Sequence, residues 1–249
     1  MWYMKLIKPM RYIPDFLAYL TKKYKSEAYI YSFFEKYKNE LNEKINYIFK
    51  YNEFDVDLFH ENEWEYALPG FEEYLKTGYY KFMLARYMYS IKYIKNKKVL
   101  DAGCGLGYGS YLICDYSREI ISIDINENAL NFAKEKWKST KLNFKRHSIL
   151  DLDTLNKKFD VILGFELIEH LTLNDAKKFL EQTFNNLNKG GVLILSSSFP
   201  DSEGESKSEE RKNKYHKKIY TKNEIKKLMM GFCFKKVNFI GNYIAEVKK

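Results

Sequence analysis

In the stretch VLDAGCGLGYGSYLI, residues 99–113, an apolar run ending at Asp101 and Ala102 meets glycines at 103, 105, 107 and 109, and a second apolar run follows. A strand that feeds a helix through glycines leaves main-chain N–H groups bare beside the helix N-terminus, where a nucleotide-like ligand can approach closely. The dinucleotide fingerprint G-x-G-x-x-G is not met, because it requires glycine at Tyr108 when counted from Gly103, or at Ser110 when counted from Gly105. Asp101, two residues before the first glycine, instead sets a carboxylate where a cationic amine, not a pyrophosphate, would be welcome.

The next strand-like run, EIISIDINENAL at 119–130, carries Asp124 at the spacing of a carboxylate that accepts hydrogen bonds from both ribose hydroxyls. The two features together describe a pocket for an adenosine bearing a charged amine and no phosphate. From Lys98 onward, short β-branched runs alternate with amphipathic helices, the pattern of a parallel sheet built from βα units. Strands are expected at 98–102, 119–124, 142–148, 159–165 and 191–197, with helices at 108–114, 128–138, 175–187 and 222–230. The tail, residues 232–249, has the form of a closing hairpin turning at Gly241-Asn242.

Upstream, apolar and aromatic residues recur at helical spacing from Asp15 to about Tyr51, and a Tyr-rich helix runs from about Phe71 to Tyr93 after the Pro69-Gly70 breaker. Residues 1–75 are thus expected to form a helical extension that could cap an acceptor pocket, and residues 76–249 the main domain. Ser196 to Lys218 is polar without periodicity and is expected as a loop, either a lid or a solvated insertion.

Composition narrows the class. The 249 residues, 45% hydrophobic and 30% charged, fit a soluble globular protein, and no apolar run approaches the ~20 residues of a membrane span. The start has neither a signal-type apolar stretch nor a small-residue cleavage site, and three cysteines without a C-x-x-C clip suit a reducing compartment, so the cytoplasm is expected. The net charge of +9 comes without a nucleic-acid-binding motif, which argues against nucleic acid as the main partner.

The motifs VLDAGCGLGYGS, ISIDINENAL, FKRHSILDL, FDVILGFELIEHL and NKGGVLILSSSFP together resemble those of the class I S-adenosylmethionine-dependent methyltransferases, from about Glu65 to the C-terminus. GCGLGYGSYL, GFELIEHL and NKYHKKIYTKNEI are most similar to bacterial methyltransferases of surface-polysaccharide (capsule or lipopolysaccharide) biosynthesis. The resemblance implies a Rossmann-like α/β fold: a mostly parallel seven-stranded sheet with a C-terminal antiparallel hairpin, here behind an N-terminal helical extension. It also implies S-adenosyl-L-methionine as cofactor. Gly103, Cys104 and Gly105 would then line its methionine end, with Asp101 near its amino group, Asp124 on the ribose, and Ile125 and Phe165 against the cofactor. Where many relatives carry an aspartate for the adenine amine, this chain has Ser148, followed by Ile149. Arg86 matches a residue that in relatives reaches the cofactor carboxylate; an exposed helical arginine is the other reading.

FELIEHL, residues 165–171, is expected to be helical and to border the reacting methyl. On a helix Glu166, Glu169 and His170 fall at i, i+3 and i+4 and converge on one face, while Leu167, Ile168 and Leu171 point elsewhere. Three readings stay open. His170 is a general base for a hydroxyl acceptor; or Glu166, Glu169 and His170, joined by His216, bind a divalent cation such as Mg²⁺, Mn²⁺ or Fe²⁺; or the group caps a helix. His60 and His147 are read as structural. The expected reaction is O-methylation of a small polar acceptor, a sugar derivative or a phosphorylated or phosphoramidate precursor. The alternatives are a metal-dependent RNA 2′-O-methyltransferase and a non-catalytic cofactor-binding module.

Overall fold

The apolar runs become strands β1 (Lys98–Ala102), β2 (Glu119–Asp124), β3 (Leu142–Arg146), β4 (Phe159–Phe165), β5 (Leu187–Ser196), β6 (Lys236–Ile240) and β7 (Ile244–Lys248). They form one seven-stranded sheet in the order β3-β2-β1-β4-β5-β7-β6. The computed structural model describes residues 28–51, 68–70, 72–210, 215–242 and 244–249. β1 to β5 pair in parallel, whereas β7 runs antiparallel to both β5 and β6. The closing hairpin turns through Gly241, whose φ of 59° suits a residue without a side chain.

Helices cover both faces, which is why the central strands read as continuous apolar runs and not as an alternation. On one face lie α1 (28–37), α2 (Asn42–Phe49), α4 (Tyr79–Ile94), α5 (Tyr108–Ile113) and α6 (Glu127–Lys136), with α3 (Glu72–Thr77) leading into α4. On the other lie α7 (Leu173–Asn186) and α9 (Lys222–Gly231), the latter opened by a Thr221/Glu224 capping box. Ile30, Phe34, Tyr37, Leu41, Ile45 and Ile48 of α1 and α2 sit in the same core as α4 and α5, so the described part of the helical extension packs directly on the domain. The expected helix at 15–27, His60 and Phe71 lie outside the described residues. None of the described helices is long and apolar enough to cross a membrane.

Two expectations are corrected here. β5 begins at Leu187, before the Gly190-Gly191 pair, because a register shift between Phe159 and Val161 lets Leu187 pair with Phe159. The expected loop 196–218 contains α8 (Glu203–Glu210), a polar helix with acidic residues in its first turn, whose Ser206 Oγ donates to the Ile219 carbonyl.

Candidate active site

β1, β2 and β4 end beside a cavity of about 480 Å³, at the point where the sheet order reverses direction. Gly103, Cys104, Gly105, Asp124, Ile125, Ser148, Ile149, Phe165, Glu166, Glu169, His170 and His216 all line it, as does Arg86. Asp101 does not. It is wholly buried behind the glycine turn, where its Oδ2 accepts hydrogen bonds from Ser110 Oγ at 2.5 Å and Tyr87 OH at 3.4 Å. Ser122, opposite Asp101 in the β1–β2 register, donates on to Ser110 at 2.7 Å. Burial raises the Asp101 carboxyl to about 6, against the two hydroxyl hydrogen bonds that favour its charge. The structure thus corrects the expected place of Asp101: it holds the turn from behind and does not face the cavity.

The turn itself is fixed at several points. The amides of Gly103 and Cys104 both donate to the Ile123 carbonyl at 2.9 Å, and Trp137 Nε1 donates to the Leu106 carbonyl at 2.6 Å. The Asp124 carboxylate, on the cavity wall, accepts from the Gly105 amide at 2.9 Å and the Asn126 amide at 3.0 Å. Gly109 leaves the room that the Tyr87 ring occupies: a Cβ there would lie 1.9 Å from the ring. Ile125 is exposed in the cavity wall beyond Asp124. Ser148 caps the following 3-10 turn by accepting from the Leu150 amide at 3.1 Å.

The expected helix at FELIEHL is also corrected. β4 stops at Phe165, Glu166 takes a left-handed φ of 48°, and only Ile168–His170 form a single 3-10 turn. Glu166 therefore stands outside the cluster of ligand atoms that Glu169, His170 and His216 form. Its Oε1 accepts from Ser196 Oγ at 2.6 Å and lies 3.0 Å from Arg86 Nη1. Arg86 is buried, not an exposed helical arginine, and its Nη2 donates to Tyr108 OH at 3.4 Å. Burial opposes the guanidinium charge, but Glu166 and the surrounding tyrosines hold its pKa above the ordinary range.

Glu169, His170 and His216 do converge, each offering a ligand atom within 4.8 Å of the others. His216 arrives from a distant segment that Glu169 itself anchors: the Glu169 carbonyl accepts from the amides of Lys217 at 2.8 Å and Lys218 at 3.2 Å. His170 Nδ1 lies 3.2 Å from the Tyr215 carbonyl, to which only an N–H can donate. Glu169 is buried, and burial followed by the Glu166 charge drives its carboxyl well above the usual carboxylate range. Its Oε2 and His216 Nδ1 are buried without a hydrogen-bond partner. His147 lies apart, between the Ser148 carbonyl and Thr154 Oγ1.

Sequence reasoning missed Ser110, Ser122 and Ser196, the hydroxyls that hold the two carboxylates in place. Ser122 did carry a signal, as a polar residue inside an apolar strand. Tyr74, Tyr79 and Met83 from α3 and α4, with Thr172 and Asp175 at the start of α7, complete the wall.

Among solved structures, an S-adenosylmethionine-dependent methyltransferase from Archaeoglobus fulgidus shares the fold, with a TM-score of 0.58 at 21% identity over 68% of this chain and 94% of that one. The chain is 34% identical over 110 residues to a ubiquinone biosynthesis O-methyltransferase of Pelagibacter ubique, covering 43% of this chain and 45% of the relative. It is 32% identical over 101 residues to a protein of Mycolicibacterium smegmatis named as a probable S-adenosylmethionine-dependent methyltransferase, covering 41% of this chain and 38% of the relative. The matches therefore span less than half the length of these relatives. The family described as Methyltransferase domain matches residues 94–236, the segment from the end of α4 to the start of β6 that holds nearly the whole cavity. By that match this chain belongs to the methyltransferase domain family.

Proposed function

We propose that the protein is an S-adenosylmethionine-dependent O-methyltransferase of a small polar acceptor, assisted by a divalent cation. The observation that carries this reading is one cavity lined both by the Asp124 carboxylate at the end of β2 and by a three-donor cluster, Glu169, His170 and His216.

The residues fit the cofactor. Asp124 brings a carboxylate to the cavity wall, the group that ribose hydroxyls call for, Ile125 offers an apolar surface to an adenine, and the Gly103–Gly105 backbone allows close approach at the methionine end. Arg86 stands on the cavity wall with Nε buried and lacking a hydrogen-bond partner, which suits a carboxylate. When bound, the cofactor supplies a sulfonium methyl already activated for in-line displacement. What remains for the chain is to align the acceptor, exclude water and accept a proton.

Two imidazoles and one carboxylate suit Mn²⁺ or Fe²⁺, and the partnerless Glu169 Oε2 and His216 Nδ1 fit a ligand role. A cation held there lowers the pKa of an acceptor hydroxyl. His170, with a ring nitrogen within 4.8 Å of the Glu169 and His216 ligand atoms, is placed to hold the cation or to take the hydroxyl proton. The sequence resemblance to surface-polysaccharide enzymes supports a sugar derivative or a phosphorylated or phosphoramidate precursor as acceptor, and Lys217 in the wall suits a phosphate. The three free cysteines accord with a cytoplasmic setting.

The test follows release of S-adenosylhomocysteine with a panel of sugar phosphates and small diols, with Mn²⁺ and with chelator. Turnover that chelator and Glu169→Gln both abolish supports the reading. Turnover indifferent to both removes the cation, turnover on RNA alone replaces the acceptor, and no turnover with intact cofactor binding leaves a non-catalytic module.

A further inference from the structure

Among the described residues, lysines concentrate at one end of the sheet. β1 to β5 run parallel and β6 shares their direction, so their starting ends lie opposite the cavity, where β7 finishes. Lysine pairs far apart in sequence come together at that end. Lys97-Lys98 opens β1, Lys157-Lys158 precedes β4, Lys235-Lys236 opens β6 and Lys248-Lys249 closes β7, with Lys189 near the start of β5. β1, β4, β5, β7 and β6 are consecutive in the sheet, so at ~4.8 Å per strand the lysines form a row about 20 Å long.

The ladder fixes this arrangement. Lys236 is in register with Lys248, the Lys235 amide donates to the Lys248 carbonyl at 2.8 Å, and the Lys249 amide donates to the Gly191 carbonyl at 3.1 Å. The Lys249 ammonium donates to the Phe184 and Leu187 carbonyls at 2.6 and 2.8 Å and the Lys158 ammonium to the Asn185 carbonyl at 2.7 Å, which anchors both cations at the end of α7. Of the nine lysines, all but Lys98 and Lys249 are exposed. Glu119 answers Lys98 at 3.7 Å and Lys157 at 3.8 Å, and Asp160 is occupied by the Lys98 amide and Asn188. Among the described residues, Lys189, Lys235, Lys236 and Lys248 form no ion pair. The acids Asp124, Glu166, Glu169 and Asp175 gather instead around the cavity at the far end.

A flat row of point-like ammonium groups is matched by a plane of phosphates. Base readout and stacking would call for arginine forks or exposed aromatic rings, and none of the large exposed hydrophobic residues in this row's neighbourhood is aromatic: Met230, in the last turn of the helix leading to β6, is an aliphatic side chain, 49% exposed. A basic row beside an exposed apolar side chain is the composition of a peripheral membrane contact. We propose that this end of the sheet docks on an anionic phospholipid bilayer, with the cavity mouth facing away from it toward solvent.

The experiment is co-sedimentation of the full chain with phosphatidylcholine vesicles, with and without phosphatidylglycerol at about one part in three. Expected are binding to the anionic vesicles only, and its loss as salt shrinks the screening length from ~10 Å at 0.1 M to ~3 Å at 1 M. The combined variant Lys157→Glu, Lys158→Glu, Lys235→Glu, Lys236→Glu should bind at least about tenfold more weakly. A control of equal charge change away from this end, Lys145→Glu, Lys177→Glu, Lys178→Glu, Lys207→Glu, should keep most binding, and both variants should keep the thermal midpoint of the parent. The proposal is overturned by absence of vesicle binding at low salt, by equal loss in the control, or by RNA binding in its place.

Discussion

Arg86 Nη1 lies 3.0 Å from Glu166 Oε1, and the pair joins helix α4 to the end of β4 across the cavity wall. Its arginine side chain is only 7% exposed, so the guanidinium has given up most of its water and relies on Glu166 for compensation. Removing one partner of such a pair leaves an uncompensated buried charge. Glu166→Gln should therefore lower unfolding stability by about 2–3 kcal/mol, toward the low end for buried pairs because the glutamate keeps some solvent. Urea denaturation measures it; a variant as stable as the parent would show that Ser196 and water suffice.

The same geometry separates Glu166 from the histidine cluster. Calorimetric titration with Mn²⁺ should show one site whose affinity falls at least about tenfold in Glu169→Gln and in His216→Ala. Glu166→Gln should not weaken it, since losing the Glu166 charge makes the Glu169 carboxyl easier to ionise. Loss in Glu166→Gln equal to that in Glu169→Gln would mean that the cation draws all the carboxylates together.

Gly109 and Tyr87 interlock within the core. The Tyr87 ring cannot retreat, since its hydroxyl is bound to Asp101 and its face meets the edge of Phe165 at a centroid distance of 4.7 Å. Gly109→Ala should cost more than about 2 kcal/mol through overpacking. Adding Tyr87→Leu should recover part of the loss, because the two sites share one space. A fully stable single variant would contradict the packing.

Asp101 makes stability depend on pH. Its folded pKa of about 6 lies above the ordinary 3.8, so folding favours the protonated form. That contribution is complete below about pH 3, under the ordinary 3.8, and is lost as pH rises through about 6. Relative to Asp101→Asn, which stays neutral, the parent should lose about 2 kcal/mol between pH 4 and pH 7. Denaturation of both proteins across this range checks it; parallel curves would mean that Asp101 folds ionised.

The strands, the glycine turn and the closing hairpin were legible because each follows from a local pattern: β-branched runs, glycine where backbone must bend, and period 3.6 between them. What failed was the segment after β4. Nothing in FELIEHL marks Glu166 for a left-handed φ that glycine or asparagine would normally take, and the buried Arg86 and Ser196 that hold it there are remote in sequence. α8 escaped notice because its polar residues carry no apolar stripe. The lysine row was equally invisible, since only strand order brings residues 97, 157, 189, 235 and 248 to one edge.

The central claim is that Asp124, at the end of β2, grips the ribose of a sulfonium nucleoside lying over the glycine turn. Calorimetric titration of S-adenosylhomocysteine into the parent and into Asp124→Ala addresses it most directly. The claim predicts one-to-one binding that the substitution weakens at least about tenfold, the loss expected when charge-assisted hydrogen bonds to two hydroxyls disappear. Equal affinity in the two proteins, or no binding to the parent, would contradict it.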